Sequence, residues 1–295
     1  MIIKLLFTIL CLITSNLLFA GKGIAQNSTI KTKHVAGSYH LLYGGGVNVG
    51  VSVGEDGILI IDDHYATLTD DVRSALKKLG SDKPEFVINT HLHGDHTGGN
   101  ESFGKESHII AHKNVRKRLA SQPRATLPPM PDVGLPVITF DEGLSFHFNG
   151  EELKVIHFPE GHTDGDAIVY FTKSNVLHLG DQYFEGRFPY VDLDNGGDVA
   201  NYAENVAKIM NMMPDDVIII PGHGNVSNLE ELKEFHDMLI ETITIIWKQM
   251  SRHKSLNDLI ENGLPKKYKK WEWNSITEER WITTVYESYK NLVGK

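Results

Sequence analysis

His91, His93, Asp95 and His96 stand within six consecutive positions of the stretch THLHGDHTGG, Thr90 to Gly99. Neutral imidazole offers a nitrogen lone pair, and a bound cation offsets the cost of crowding several rings where they bury little apolar surface. His91 and His93 are two apart, so on an extended segment they point the same way. Gly94 then lets the chain turn, and Asp95 with His96 can face a second point. One short loop therefore offers ligands for two metals. A solvated histidine-rich turn would need no partners elsewhere, but three segments supply them. VIHFPEGHTDGD places His162 beside Gly161, VLHLGDQYF places Asp181 after Gly180, and VIIIPGHGN places His223 between Gly222 and Gly224. Each follows an apolar run; strand ends converge on one sheet edge, and glycines let backbone and ions approach closely.

The elements that must position these residues follow from periodicity. GGVNVGVSVGEDGILIIDDHY alternates through Val53, turns at Glu55-Asp56-Gly57 and resumes at Ile58, which predicts a hairpin. TLTDDVRSALKKLG puts Val72, Ala75, Leu76 and Leu79 on one helix face and stops at Gly80. EFVINT is a short strand running into the histidine cluster, SHIIAH is another, and KNVRKRLA is a short helix. Prolines between Ser121 and Pro136 predict an exposed loop. PVITF, LSFHF, ELKVIHF, AIVYF and NVLHL read as strands, DVANYAENVAKIMNMM as a helix and DVIIIPGHG as a strand. A long helix opens at Ser227 with Glu230 three residues on, a capping-box pattern, and carries the stripe Leu232, Phe235, Leu239, Ile243, Ile246, Met250. The two successions, roughly 35 to 120 and 137 to 262, predict two sheets stacked with helices outside, a four-layer α/β sandwich in one domain.

The chain has 295 residues, 41% hydrophobic and 23% charged, within the range of an ordinary globular protein. Its first residues put Lys4 before an apolar run from Leu5 to Leu10 that continues to Phe19, with Gly23 and Ala25 following. The run is short for a membrane span and predicts a signal peptide over 1–25, cleaved near Ala25-Gln26. Cleavage would remove Lys4 and Lys22, leaving 27 basic residues against 38 acidic ones and a charge of −11. Such a surface repels phosphate backbones and argues against a nucleic-acid partner. The mature protein would be secreted or periplasmic, with no membrane attachment, and would act on a small molecule. Cys11 is the one cysteine and lies in the apolar run, so the mature chain has no disulfide, thiolate nucleophile or thiolate ligand.

The ordered set His-x-His-x-Asp-His, Gly-His-Thr, Gly-Asp and Pro-Gly-His-Gly resembles the metallo-β-lactamase superfamily, from about Tyr39 to near Met250. The resemblance implies an αββα sandwich with two metals in a groove at one edge; the succession of elements bounds that domain at 35–262, with 263–295 a C-terminal segment packed on it. His91, His93 and His162 would hold the first metal and Asp95, His96 and His223 the second, with Asp181 between them. Asp62, at the end of ILIID, resembles the family's strand-end aspartate that braces the metal loop, and Gly98-Gly99 would let the next helix start tightly under the site.

Two metals acidify a shared water from a pKa of about 15.7 to about 7, and the hydroxide attacks a carbonyl while Asp95 accepts a proton and orients it. No serine or cysteine is needed. Two Zn²⁺ suit these nitrogen and oxygen ligands, and without a thiolate iron or manganese is also accommodated. Asp181 stands where some β-lactamases carry a cysteine ligand; an aspartate bridge is typical of the family's thioester hydrolases, lactonases and general hydrolases. The expectation is an exported dinuclear zinc hydrolase of a small ester or amide, a cyclic lactam or lactone first among them. The alternatives are a glyoxalase-type thioester hydrolase and a non-haem iron sulfur dioxygenase; a secretory signal counts against the first.

QYFEGRFPYVD, following the bridge, offers Phe184 and Arg187 for a substrate pocket, Arg187 meeting a carboxylate. Tyr183 stands near, but not at, the offset where lactonases present a tyrosine. YGGGVNV is a candidate flap over the groove. His147, His157 and His178 sit on strands and read as structural, and the tail with Trp271, Trp273 and Trp281 as a terminal helix packed on the sandwich.

Overall fold

In GILII, residues 58 and 60 join one apolar layer and residues 59 and 61 another, so a single strand glues two faces together. That alternation organises the whole computed structural model, which describes residues 30–123 and 128–290. The apolar run expected to be a signal lies outside the described residues.

The first sheet contains β1 (Lys31–Ala36), β2 (Tyr39–Gly44), β3 (Val47–Gly54), β4 (Gly57–Ile61), β5 (Phe86–Ile88), β6 (His108–His112) and β7 (Ile138–Phe140), in that order. Its first four strands pair antiparallel and its last four parallel. Between strands lie α1 (Thr69–Lys77), the short turns α2 (Gly94–Thr97) and α3 (Asn100–Phe103), and α4 (Lys113–Ser121). The second sheet runs β12-β11-β10-β9-β8, from β8 (Gly143–Phe148), β9 (Glu151–His157), β10 (Ala167–Phe171), β11 (Val176–Phe184) and β12 (Ile218–His223). Its helices are α5 (Val199–Met212), α6 (Leu229–Met250), α7 (Leu256–Asn262) and α8 (Glu278–Tyr289).

Leu59, Ile61, Ile88 and Ile110 of the first sheet meet Val155, Val169 and Phe171 of the second in the central layer. Val72, Ala75 and Leu76 of α1 cover the outer face of the first sheet. Phe235, Leu239 and Ile246 of α6, with Trp281 and Ile282 of α8, cover the outer face of the second. The architecture is the expected four-layer αββα sandwich. Among the described residues no helix is long and apolar enough to cross a membrane.

Three local expectations change. PVITF, assigned above to the second succession, pairs parallel with β6 as the edge of the first sheet. The long helix is capped by Asn228, whose side chain accepts from Glu231 N; Ser227 is still extended, bridging Ile219 through both backbone groups. The 121–136 segment is not wholly exposed: Met130 and Leu135 pack on Val115 and Leu119, with 124–127 outside the described residues.

Candidate metal centre

Strand β5 delivers the chain into Thr90, where Asp62, just beyond the parallel strand β4, holds the loop. Asp62 accepts from Thr90 N at 2.7 Å, from Thr90 Oγ1 at 2.8 Å and from His96 Nδ1 at 2.7 Å. Burial opposes its ionisation, but His96 and His178 beside it hold its carboxyl below the usual range. A Cβ on Gly98 would overlap Ala66 N, and one on Gly99 would meet Asp63 O at 2.9 Å, so the backbone that follows the histidines runs directly over the 62–66 turn. Gly222 is constrained in the same way, since a Cβ there would overlap Asp181 Oδ1.

His91, His93, His162 and Asp181 each offer one atom to a first cluster, and Asp95, His96 and His223 to a second; within each the atoms lie within 4.8 Å of one another. Asp181 faces both. Its Oδ2 is 3.7 Å from His91 Nε2 and 3.4 Å from His162 Nε2, while its Oδ1 is 3.3 Å from both His96 Nε2 and His223 Nε2. Asp95 Oδ2 lies 3.7 Å from His96 Nε2 and 3.5 Å from His223 Nε2. All seven candidate residues therefore converge.

The outward nitrogens decide what the inward ones can be. His96 Nδ1 donates to Asp62, His162 Nδ1 to Tyr190 O at 2.6 Å, His223 Nδ1 to Gly46 O at 2.7 Å and His93 Nε2 to Asp192 Oδ2 at 2.7 Å. Thr90 Oγ1 has its proton committed to Asp62, so at 3.0 Å it accepts from His91 Nδ1. Each neutral ring thus presents a lone pair to the cluster. His162 Nε2 and His93 Nδ1 face each other at 2.9 Å, lone pair to lone pair, which a shared cation between them resolves. His91 Nε2, His96 Nε2 and Asp181 Oδ1 are buried without any hydrogen-bond partner. Buried polar atoms rarely stay unpaired, and convergent orphan donors of this chemistry fit divalent metal ions.

Electrostatics divide the rings. Burial, with His96 next to it, pushes His91 well below its usual range, and burial brings His162 down to about 4, so both stay neutral. Burial also opposes charge on His96 and His223, yet Asp181 beside them raises both. Burial disfavours the Asp181 carboxylate, but His223, His96, His91 and His162 hold it well below the usual range.

The clusters open into a cavity of about 830 Å³ lined among others by Tyr65, Arg118, Phe184, Arg187, Tyr190 and Trp273. Phe184 stacks on His223 with ring centroids 5.1 Å apart, as a pocket residue should. Tyr183 points the other way, its hydroxyl 3.0 Å from Ser227 Oγ and its ring against Phe235, because adjacent strand residues face opposite sides. The glycine turn is not a free flap: Gly44 O accepts from His64 Nε2 and Gly46 O from His223. His178 is buried, bonds Tyr39 OH at 2.8 Å and faces Asp62 Oδ2 at 3.9 Å; His157 stacks on His112 and belongs to neither cluster. Asp192, Tyr65, Trp273 and Arg280 escaped the sequence reading as site residues. Arginine and tryptophan together in an acidic chain's tail are the signal for the last two.

Sandwich and site together define a metal-dependent hydrolase. Residues 42–223 match the Metallo-beta-lactamase superfamily, and the chain belongs to it. It is 26% identical over 193 residues to a hydroxyacylglutathione hydrolase of Prochlorococcus marinus (strain NATL1A), covering 58% of this chain and 69% of that protein. Among solved structures it resembles a metallo-beta-lactamase from Pontibacter korlensis, with 17% identity, TM-score 0.61, and 71% of this chain and 98% of that one covered. It also resembles the inverting sec-alkylsulfatase Pisa1 from Pseudomonas sp., with 15% identity and TM-score 0.67 over 90% of this chain and 51% of that one.

Proposed function

We propose that the chain is an exported dinuclear zinc hydrolase that opens a small ester or amide bond, with cyclic lactams and lactones the leading substrates. The observation that carries the reading is the set of buried, partnerless His and Asp atoms converging in two clusters on the cavity floor. His91, His93 and His162 would hold one ion, Asp95, His96 and His223 the other, and Asp181 both. Bound divalent ions supply an acidified water and a Lewis acid for the carbonyl oxygen. The chain's own residues do the rest. Asp95, at the cavity surface, accepts the proton released on attack and returns it to the leaving group; Tyr65 OH lies 3.5 Å from its Oδ2 and can steady that carboxylate. The Phe184 and Trp273 rings cover the His223 side and keep bulk water off the reacting bond. The short apolar run near the N-terminus supports export.

A second reading, thioester hydrolysis, is favoured by the relatives carrying that name and by the aspartate at the bridging position. Zinc-loaded protein assayed on β-lactam, lactone and glutathione-thioester panels, with His93→Ala as control, separates the two. Turnover of a lactam or lactone supports the first reading and thioester turnover alone the second. Oxygen consumption by iron-loaded protein, with no hydrolysis, overturns both.

A further inference from the structure

His93 is the metal-facing ring that packing holds least. Its side chain is 19% exposed, against 9% or less for His91, His96, His162 and His223. A ring that water can reach keeps its aim through hydrogen bonds, and His93 makes its outward bond to Asp192, Nε2 donating to Oδ2 at 2.7 Å. Asp192 is itself held. Its Oδ2 also accepts from Asn195 Nδ2 at 2.7 Å, and its Oδ1 from Asn195 N at 3.2 Å. On the far side, Asn195 Oδ1 accepts from Arg118 Nη1 at 2.8 Å.

Chemistry fixes the direction of every bond in this series. A guanidinium can only donate and an ionised carboxylate can only accept, so Asn195 must turn its oxygen to Arg118 and its nitrogen to Asp192. Asp192 in turn keeps the proton of His93 on Nε2, which leaves Nδ1 as the lone pair facing the first cluster. Arg118 is rooted at its other edge, Nε and Nη2 donating to Asp164 at 2.7 Å each. Its fork is full, so this cation of the cavity lining serves the protein and not a ligand. The turn that carries Asp192 stands without it. Asp192 N donates to His162 O, Gly197 N to Asp192 O and Asp164 N to Asn195 O, while Asn114 Nδ2 ties α4 to Asp164 O. The Asp164 side chain is 25% exposed and stays solvated when the arginine is removed.

We propose that Arg118 is a positioning residue for the first metal: through the Asn195 amide and the Asp192 carboxylate it fixes the tautomer and the aim of His93. The proposal rests on the assignment of His93 to the first ion. Zinc competition against a chelator tests it on the full chain in two backgrounds, His223→Ala, where the first cluster keeps its ion, and His91→Ala, where the second does. Arg118→Ala should weaken zinc binding about tenfold in the first background and leave the second at its parent's affinity. The space it vacates opens on the cavity, so guanidinium chloride at a non-denaturing concentration should restore the first cluster's affinity. Asn195→Asp, equal in size but without the amide donor, should weaken the first cluster at least as much and resist that rescue. Adding Arg118→Ala to Asp192→Ala should cause no further loss, because the path to His93 is already cut. First-cluster affinity unmoved by Arg118→Ala or left unrestored by guanidinium, equal losses in both backgrounds, or additive losses in the double variant overturn the proposal and leave the two-ion reading standing. A His223→Ala chain that takes up no zinc with Arg118 in place sinks the two-ion reading, and the proposal with it.

Discussion

On the floor of the cavity, four of the seven convergent side chains come from six consecutive residues, and every histidine has its outer nitrogen tied to a fixed acceptor. On the outer wall, Arg187, Tyr190, Trp273 and Arg280 come from two distant segments and hold one another by stacking, without a shared carboxylate. The floor lies within residues 42–223, the span that matches the superfamily, whereas half of the wall lies beyond it. Metal chemistry can be specified by a local motif on strand ends. The arrangement of the wall depends on where the C-terminal segment packs.

Removing the shared ligand gives the largest effect. Asp181→Ala should lower hydrolysis on the order of 10³-fold or more and leave fewer than two metals per chain, because both clusters use its oxygens. Kinetics and elemental analysis on one preparation check it. Next comes the anchor of the wall. Trp281 is fully buried, stacks on Phe188 and donates to Thr242 Oγ1 at 3.0 Å. Trp281→Ala should cost about 3–5 kcal/mol in denaturant unfolding and raise KM, while metal stoichiometry stays at wild type. Loss of metal in this variant would mean that floor and wall are not separable.

The braces come third. Asp62→Ala should weaken the cluster of His96, and Asp192→Ala that of His93, each by about 10- to 100-fold in metal affinity measured by chelator competition. The smallest effect tests a histidine remote from the metals. Burial, then His157 and Lys113 nearby, bring His112 down to about 4. An unfolded histidine titrates near 6.5, so the unfolded chain takes up the proton first; stability present above pH 6.5 is lost progressively as pH falls toward 4. After solvent screening the loss is about 1 kcal/mol, and His112→Gln should flatten that part of the pH–stability profile.

The floor was legible in the sequence because its ligands are chemically rare at strand ends and ordered along the chain. The sandwich followed from the alternation of β3, the apolar run of β4 and the stripe of α6. Strand PVITF was placed in the wrong sheet because a three-residue edge strand carries no record of its neighbour. Ser227 looked like a cap because its spacing to Glu230 is right, yet its backbone is engaged with Ile219. Trp273 read as a packing residue and Arg280 was not singled out, because the tail's route past the post-β11 loop is set by tertiary contacts and no local period reports it.

Metal content of the purified chain after zinc loading and desalting tests the central claim most directly, with His223→Ala run beside it. Two equivalents per wild-type chain and a single retained equivalent in the variant are expected. A wild-type chain that takes up no divalent ion, or a variant that still holds both, would contradict the account.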